Sequence, residues 1–175
     1  MKYGLVYGLI SGTIAILVIL AGLELTPRDG FFHGYTFGYL VMLLAMTFIF
    51  VGVKRYRDEE CGGVIRFGRA FLMGLGIAAV ASVAYVVVFE AYLAATGYDF
   101  LDEYIAGTVR DREAAGIAVA EVARERAELE SMLLNPLVRV PFTFLEIFPV
   151  GLLVALVSAA LLRNPKLLPA RGHPA

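Results

Sequence analysis

Residues Ala70–Phe89 read AFLMGLGIAAVASVAYVVVF, twenty positions between Arg69 and Glu90 without one Asp, Glu, Lys or Arg. A hydrocarbon core of roughly 30 Å needs about 20 apolar residues at 1.5 Å rise each, so this stretch is long enough to cross a bilayer. Three others match it. Tyr3–Leu23 lies between Lys2 and Glu24, Gly30–Val53 lies between Asp29 and Lys54, and Val140–Leu162 lies between Arg139 and Arg163, interrupted only by Glu146. Each must be helical, because a lone segment in lipid can satisfy its backbone only internally. The shorter alternating segments of a membrane β-barrel do not occur. The expected fold is therefore all-α: an integral membrane four-helix bundle with spans at about 3–23, 35–53, 70–95 and 137–162.

The first stretch could pass for a signal peptide, with Lys2 ahead of an apolar core. That core is too long, and no Ala-x-Ala-like cleavage site follows it. Leu20-Ala21-Gly22 resembles the start of a lipoprotein cleavage site, but Leu23 stands where cysteine is required. The reading is a retained span.

Composition narrows the function. At 175 residues the length prior gives one membrane domain, 1–175. Hydrophobic residues make up 59% and charged residues 18%, against roughly 45–50% and about 25% in a soluble domain. Mean hydropathy is +0.76. These values exclude a disordered chain, a nucleic-acid binder and an ordinary soluble enzyme. The net charge of −1 offers no field to DNA or RNA. The single cysteine, Cys61, and two histidines, His33 and His173, imply no disulfide framework, no metal site and no cofactor. No nucleophile motif is present, and Gly62-Gly63 lacks the spacing and Lys-Ser/Thr of a phosphate loop. The expectation is no enzyme.

Loop charge sets the orientation. The connection Lys54–Arg69 carries Lys54, Arg55, Arg57, Arg66 and Arg69, and the tail 163–175 adds Arg163, Lys166 and Arg171. The loop Glu24–Gly34 has only Arg28. Gly97–Asn135 has four Arg against nine Asp and Glu, a net of −5. Four spans then place both termini and the basic connection in the cytoplasm, with the acidic segment outside.

That outer segment, about 98–135, reads as an amphipathic helical arm between spans three and four. Asp99 is a candidate helix N-cap, Gly107-Thr108 a candidate break, and Asn135-Pro136 the end. Ala115, Ala118, Val122, Leu129 and Leu133 recur at helical spacing. Arg124 with Glu128, and Arg126 with Glu130, are i,i+4 ion pairs. The pattern fits a helical hairpin or one long bent helix, serving as a cap on the bundle or as a docking arm. Its acidity argues against a helix lying on headgroups.

Two further sets of residues are candidates for function. Gly4, Gly8 and Gly12 recur at four-residue spacing, as do Gly30, Gly34 and Gly38, and such grooves allow close helix approach. They predict packing of the first two helices on each other, or a self-association face. Glu24, Glu90, Arg139 and Glu146 all fall in the outer half of the spans, with His33, Tyr35, Tyr85 and Tyr92 as possible companions. A carboxylate at bilayer depth costs on the order of 2.5–3.5 kcal/mol, so these residues predict either a structural polar cluster or a proton or cation site. Tyr56-Arg57-Asp58 forms a mixed-charge cytoplasmic turn. It reads as an anchor with internal ion pairs, or as a contact for anionic lipid or a partner.

Several stretches together resemble the domain of unknown function 4199 family of small bacterial membrane proteins. They are Gly52-Val53-Lys54-Arg55-Tyr56-Arg57-Asp58; Phe67-Gly68-Arg69-Ala70-Phe71 with Gly74; Tyr98-Asp99-Phe100; and Asn135-Pro136 followed by Phe144-Leu145-Glu146-Ile147-Phe148-Pro149-Val150-Gly151. The resemblance implies four spans in a bacterial cytoplasmic (inner) membrane and carries no functional residues with it. Two functions remain. One is a structural or accessory membrane subunit without catalysis, working with lipid and either a second copy or a membrane protein partner. The other is a proton- or cation-coupled transporter or channel subunit acting as an oligomer.

Overall fold

The computed structural model describes residues 2–25 and 35–170. They form six helices and, among the described residues, no strand. These are α1 (Lys2–Leu25), α2 (Tyr35–Glu60), α3 (Phe67–Ala95), α4 (Asp99–Ala114), α5 (Val119–Leu133) and α6 (Pro136–Leu162). Four are long and apolar enough to cross a membrane: α1, α2, α3 and α6. The chain is all-α and multi-pass, as the apolar stretches required. Contacts divide it into two compact units, Met1–Tyr85 with Glu146–Ala175, and Val86–Leu145.

The first unit holds α1, α2, α3 to Tyr85, and α6 from Glu146. Its core is built from small residues as much as large ones. Ala15, Ala45, Ala78, Ala81, Ala155 and Ala159 are buried beside Ile16, Met46, Ile49 and Ile77. In lipid the helices gain little from excluding water, so close backbone approach carries the packing. Helix α3 packs closely on α6. A Cβ on Gly74 would come 2.9 Å from Ala155 Cβ, and one on Gly151 would come 2.8 Å from Ala78 Cβ. The matched spacing, 74 to 78 against 155 to 151, makes these two helices antiparallel. On α1, Gly8 and Gly12 face Val80 and Ala81 of α3, not α2 as their spacing suggested. The α1–α2 contact runs instead through Ser11, whose hydroxyl donates to the Ala45 carbonyl at 2.7 Å, and through Gly22 against Phe37. Gly4 and Gly38 meet nothing within 4 Å. Gly34 lies outside the described residues.

Helix α2 runs past its apolar window to Glu60. Nothing in Lys54–Glu60 breaks a helix, so the charged residues read as a turn are helical. The chain reverses at Cys61-Gly62-Gly63, where both glycines take positive φ, 62° and 83°, a conformation that costs glycine little.

The second unit holds the end of α3, α4, α5 and the start of α6. Gly97 and Tyr98 both adopt positive φ, 65° and 67°, and turn the chain out of α3. Tyr98 therefore occupies the N-cap position and Asp99 is the first helical residue, correcting the expected cap. Helix α4 also passes unbroken through Gly107-Thr108. The Thr108 hydroxyl donates back to the Tyr104 carbonyl at 2.9 Å, which lets it sit inside a helix. The break comes at Gly116, φ 73°. Arg112 on α4 then pairs with Glu125 on α5 at 3.1 Å. Leu101, Ile105 and Val122 are buried, so the arm is a helical hairpin. Both i,i+4 pairs are present, Arg124–Glu128 at 3.7 Å and Arg126–Glu130 at 2.7 Å. Asn135 accepts from the Leu137 amide at 3.0 Å and caps α6, with Pro136 at the first helical position.

Candidate functional site

Of the polar residues expected to cluster, Glu90 and Arg139 form one closed pair. Glu90 lies one turn before the end of α3, and Arg139 on the first turn of α6. Arg139 Nε donates to Glu90 Oε1 at 2.8 Å and Nη2 to Oε2 at 2.6 Å, a fork-to-fork pairing. Its remaining terminal nitrogen, Nη1, donates to the Leu133 carbonyl at the end of α5. The guanidinium carbon lies 5.4 Å from the Tyr98 ring centroid, within cation–π range. The Arg139 side chain is 3% exposed and that of Glu90 24%. One residue thus ties together the end of α3, the turn into α4, the end of α5 and the start of α6. Removing one partner of such a buried pair costs about 3–5 kcal/mol, because the other charge is left alone.

Glu146 takes no part in this arrangement. It is exposed on α6, and among the described residues no hydrogen bond or ion pair reaches it. The side chain of Glu24, like His33, lies outside the described residues. Among the described residues no three His, Cys, Asp or Glu side chains gather as a metal site would require.

The basic end has a second node, centred on Arg57. This side chain is fully buried, at 0% exposure. Its Nε donates to Asp58 Oδ1 at 2.7 Å, Nη1 to the Leu167 carbonyl at 2.9 Å, and Nη2 to the Leu168 carbonyl. Lys54 holds the second oxygen of Asp58. The chain after α6 therefore folds back onto the end of α2, with Leu168 at positive φ, 51°. Ala170 is packed under Gly63, where a Cβ would come 3.2 Å from it. Tyr56 accepts a hydrogen bond from Arg69 Nε at 2.8 Å. Tyr3 donates to Glu59 at 2.6 Å, and Lys2 pairs with Glu60 at 3.3 Å. Tyr56, Arg57 and Asp58 are all engaged within the chain. Arg55, Arg66, Arg163 and Lys166 stay exposed.

Sequence reading placed Arg57 in a turn and missed the docking of the tail. The signal was helical phase. Met42, Met46, Ile49 and Val53 are buried, and the same stripe, carried one turn further, arrives at Arg57. Nothing in the sequence marked the Leu167 and Leu168 carbonyls, because backbone acceptors are the same at every residue.

A family model described as a protein of unknown function, DUF4199, matches residues 2–164. No curated protein and no solved structure matches the chain.

Proposed function

The chain belongs to the DUF4199 family of proteins of unknown function, and we propose that this multi-pass membrane protein is a structural or accessory subunit without catalysis. The reading places it in a bacterial cytoplasmic membrane. The termini and the basic connection face the cytoplasm, and the α4–α5 hairpin faces outward. Loop charge supports that orientation, with five cations in Lys54–Arg69 against a net of −5 in Gly97–Asn135.

The observation that carries the reading is the closure of Glu90 by Arg139. A proton- or cation-coupled site built from Glu90 and Glu146 needs a free carboxylate on each. Both Glu90 oxygens already accept from the Arg139 guanidinium, which suits a fastener of helices better than a site that loads and unloads an ion.

The test replaces the pair as a unit. Glu90→Leu with Arg139→Met removes both charges and fills the space with apolar atoms, so stability in detergent returns close to wild type. Glu90→Gln alone, with Arg139 left unneutralised, lowers it by about 3 kcal/mol. In proteoliposomes, wild type and the double variant carry no proton or monovalent-cation flux above empty vesicles under an imposed pH gradient. A wild-type flux abolished by the double variant would replace this reading with the transport one.

A further inference from the structure

Helix α6 has two unlike faces. Ile147, Gly151, Ala155, Ser158, Ala159 and Leu162 are buried. Glu146, Pro149, Leu153, Leu156 and Ala160 are exposed, and they recur at intervals of three, four, three and four. That is the heptad spacing of a helix-pairing seam. Lipid covers leucines as well as a partner helix would, so the apolar members alone demand nothing. Glu146 is the member that does. It is ten residues into α6, about 15 Å along the axis. It is also the only Asp, Glu, Lys or Arg within Val140–Leu162. Lipid offers its carboxyl group neither donor nor acceptor.

We infer that this seam of α6 pairs with the same seam of a second copy of the chain, with the two Glu146 carboxyl groups hydrogen-bonded to each other at the contact. The occupant follows from the chemistry of the group. A protonated carboxyl is both a donor and an acceptor, so it complements an identical group related by a two-fold axis along the membrane normal. Two copies inserted with the same orientation bring Glu146 to one depth automatically. Among the described residues no cation pairs with Glu146, and Arg139, the nearest in sequence on α6, is saturated by Glu90 and Leu133. A single polar residue in an otherwise apolar seam is also the arrangement that fixes register and copy number. The inference stands whether or not the chain is an accessory subunit.

The experiment uses the full chain in nanodiscs and in native membranes, with Cys61→Ser as background. Leu153→Cys and Leu156→Cys are each oxidised to trap a disulfide across the seam, and Leu9→Cys on the exposed face of α1 is the control. The expected result is a cross-linked species of twice the chain mass from the α6 cysteines and none from Leu9→Cys. Monomer at every protein-to-lipid ratio, cross-linking through α1 instead, or an α6 cross-link to a protein of different mass would each overturn the inference. Glu146→Gln keeps a donor and an acceptor and should dimerise as wild type does. Glu146→Ala should weaken dimerisation about tenfold. Equal dimerisation of the alanine variant would remove Glu146 from the contact. Helix content by circular dichroism separates lost pairing from lost folding.

Discussion

Gly4 and Gly12 lie two turns apart on one face of α1, yet only one of them touches another helix. A Cβ on Gly12 would run into the Ala81 carbonyl of α3, which is backbone and cannot turn aside, whereas one on Gly4 would meet nothing within 4 Å. Gly12→Ala should therefore cost about 1–3 kcal/mol in detergent unfolding, while Gly4→Ala stays within about 0.5 kcal/mol. Equal effects would mean that α1 does not pack on α3 through this face. Arg57 is the other residue whose neighbours decide its role. Arg57→Met leaves the Leu167 and Leu168 carbonyls without their donor, so the tail should detach. Amide exchange over residues 167–170 should rise, with a loss of about 1–3 kcal/mol. Arg57→Lys should not rescue it, because one ammonium cannot span Asp58 and two carbonyls as a planar fork does.

At the scale of the element, the spans were legible because a long uncharged stretch in lipid has one backbone solution. Their partners were not. Four-residue glycine spacing says that some helix comes close, but any helix with small residues at the right height would serve. The α3–α6 crossing at Gly74 and Gly151 was visible only as two isolated glycines in resembling motifs. The arm shows the same limit. Gly107-Thr108 carried the stronger local break signal, yet the chain reverses at Gly116, φ 73°. The Arg112–Glu125 contact that accompanies this reversal is invisible in one dimension. The two glycines should therefore respond oppositely. Gly116→Val forces a β-branched residue to φ 73° and should destabilise the hairpin by about 1–2 kcal/mol. Gly107→Ala sits within a continuous helix with nothing within 4 Å and should stabilise it by up to about 1 kcal/mol. Hydrogen exchange across α4 and α5 reads both, and the opposite signs would return the hinge to Gly107.

For the whole molecule, the cations divide by role into buried and exposed sets. Arg57 is buried and holds the tail, and Arg139 is buried and holds Glu90, so neither is available to a lipid surface. Arg55, Arg66, Arg69, Arg163 and Lys166 remain exposed at the basic end, and the arm stays acidic. If orientation follows the exposed cations, it should survive loss of the buried ones and fail when the exposed set is thinned. The single cysteine makes this measurable. Cys61 lies in the connection between α2 and α3, and in right-side-out vesicles an impermeant maleimide should label it only after permeabilisation. In a Cys61→Ser background, Val119→Cys at the start of α5, 84% exposed as valine, should label before permeabilisation. Replacing Arg55, Arg66 and Arg69 by Gln, with Arg57 retained, should give a mixed population in which a fraction of Cys61 becomes reachable from outside. Labelling of Cys61 from outside in the unaltered chain would reverse the orientation and place the α4–α5 hairpin in the cytoplasm.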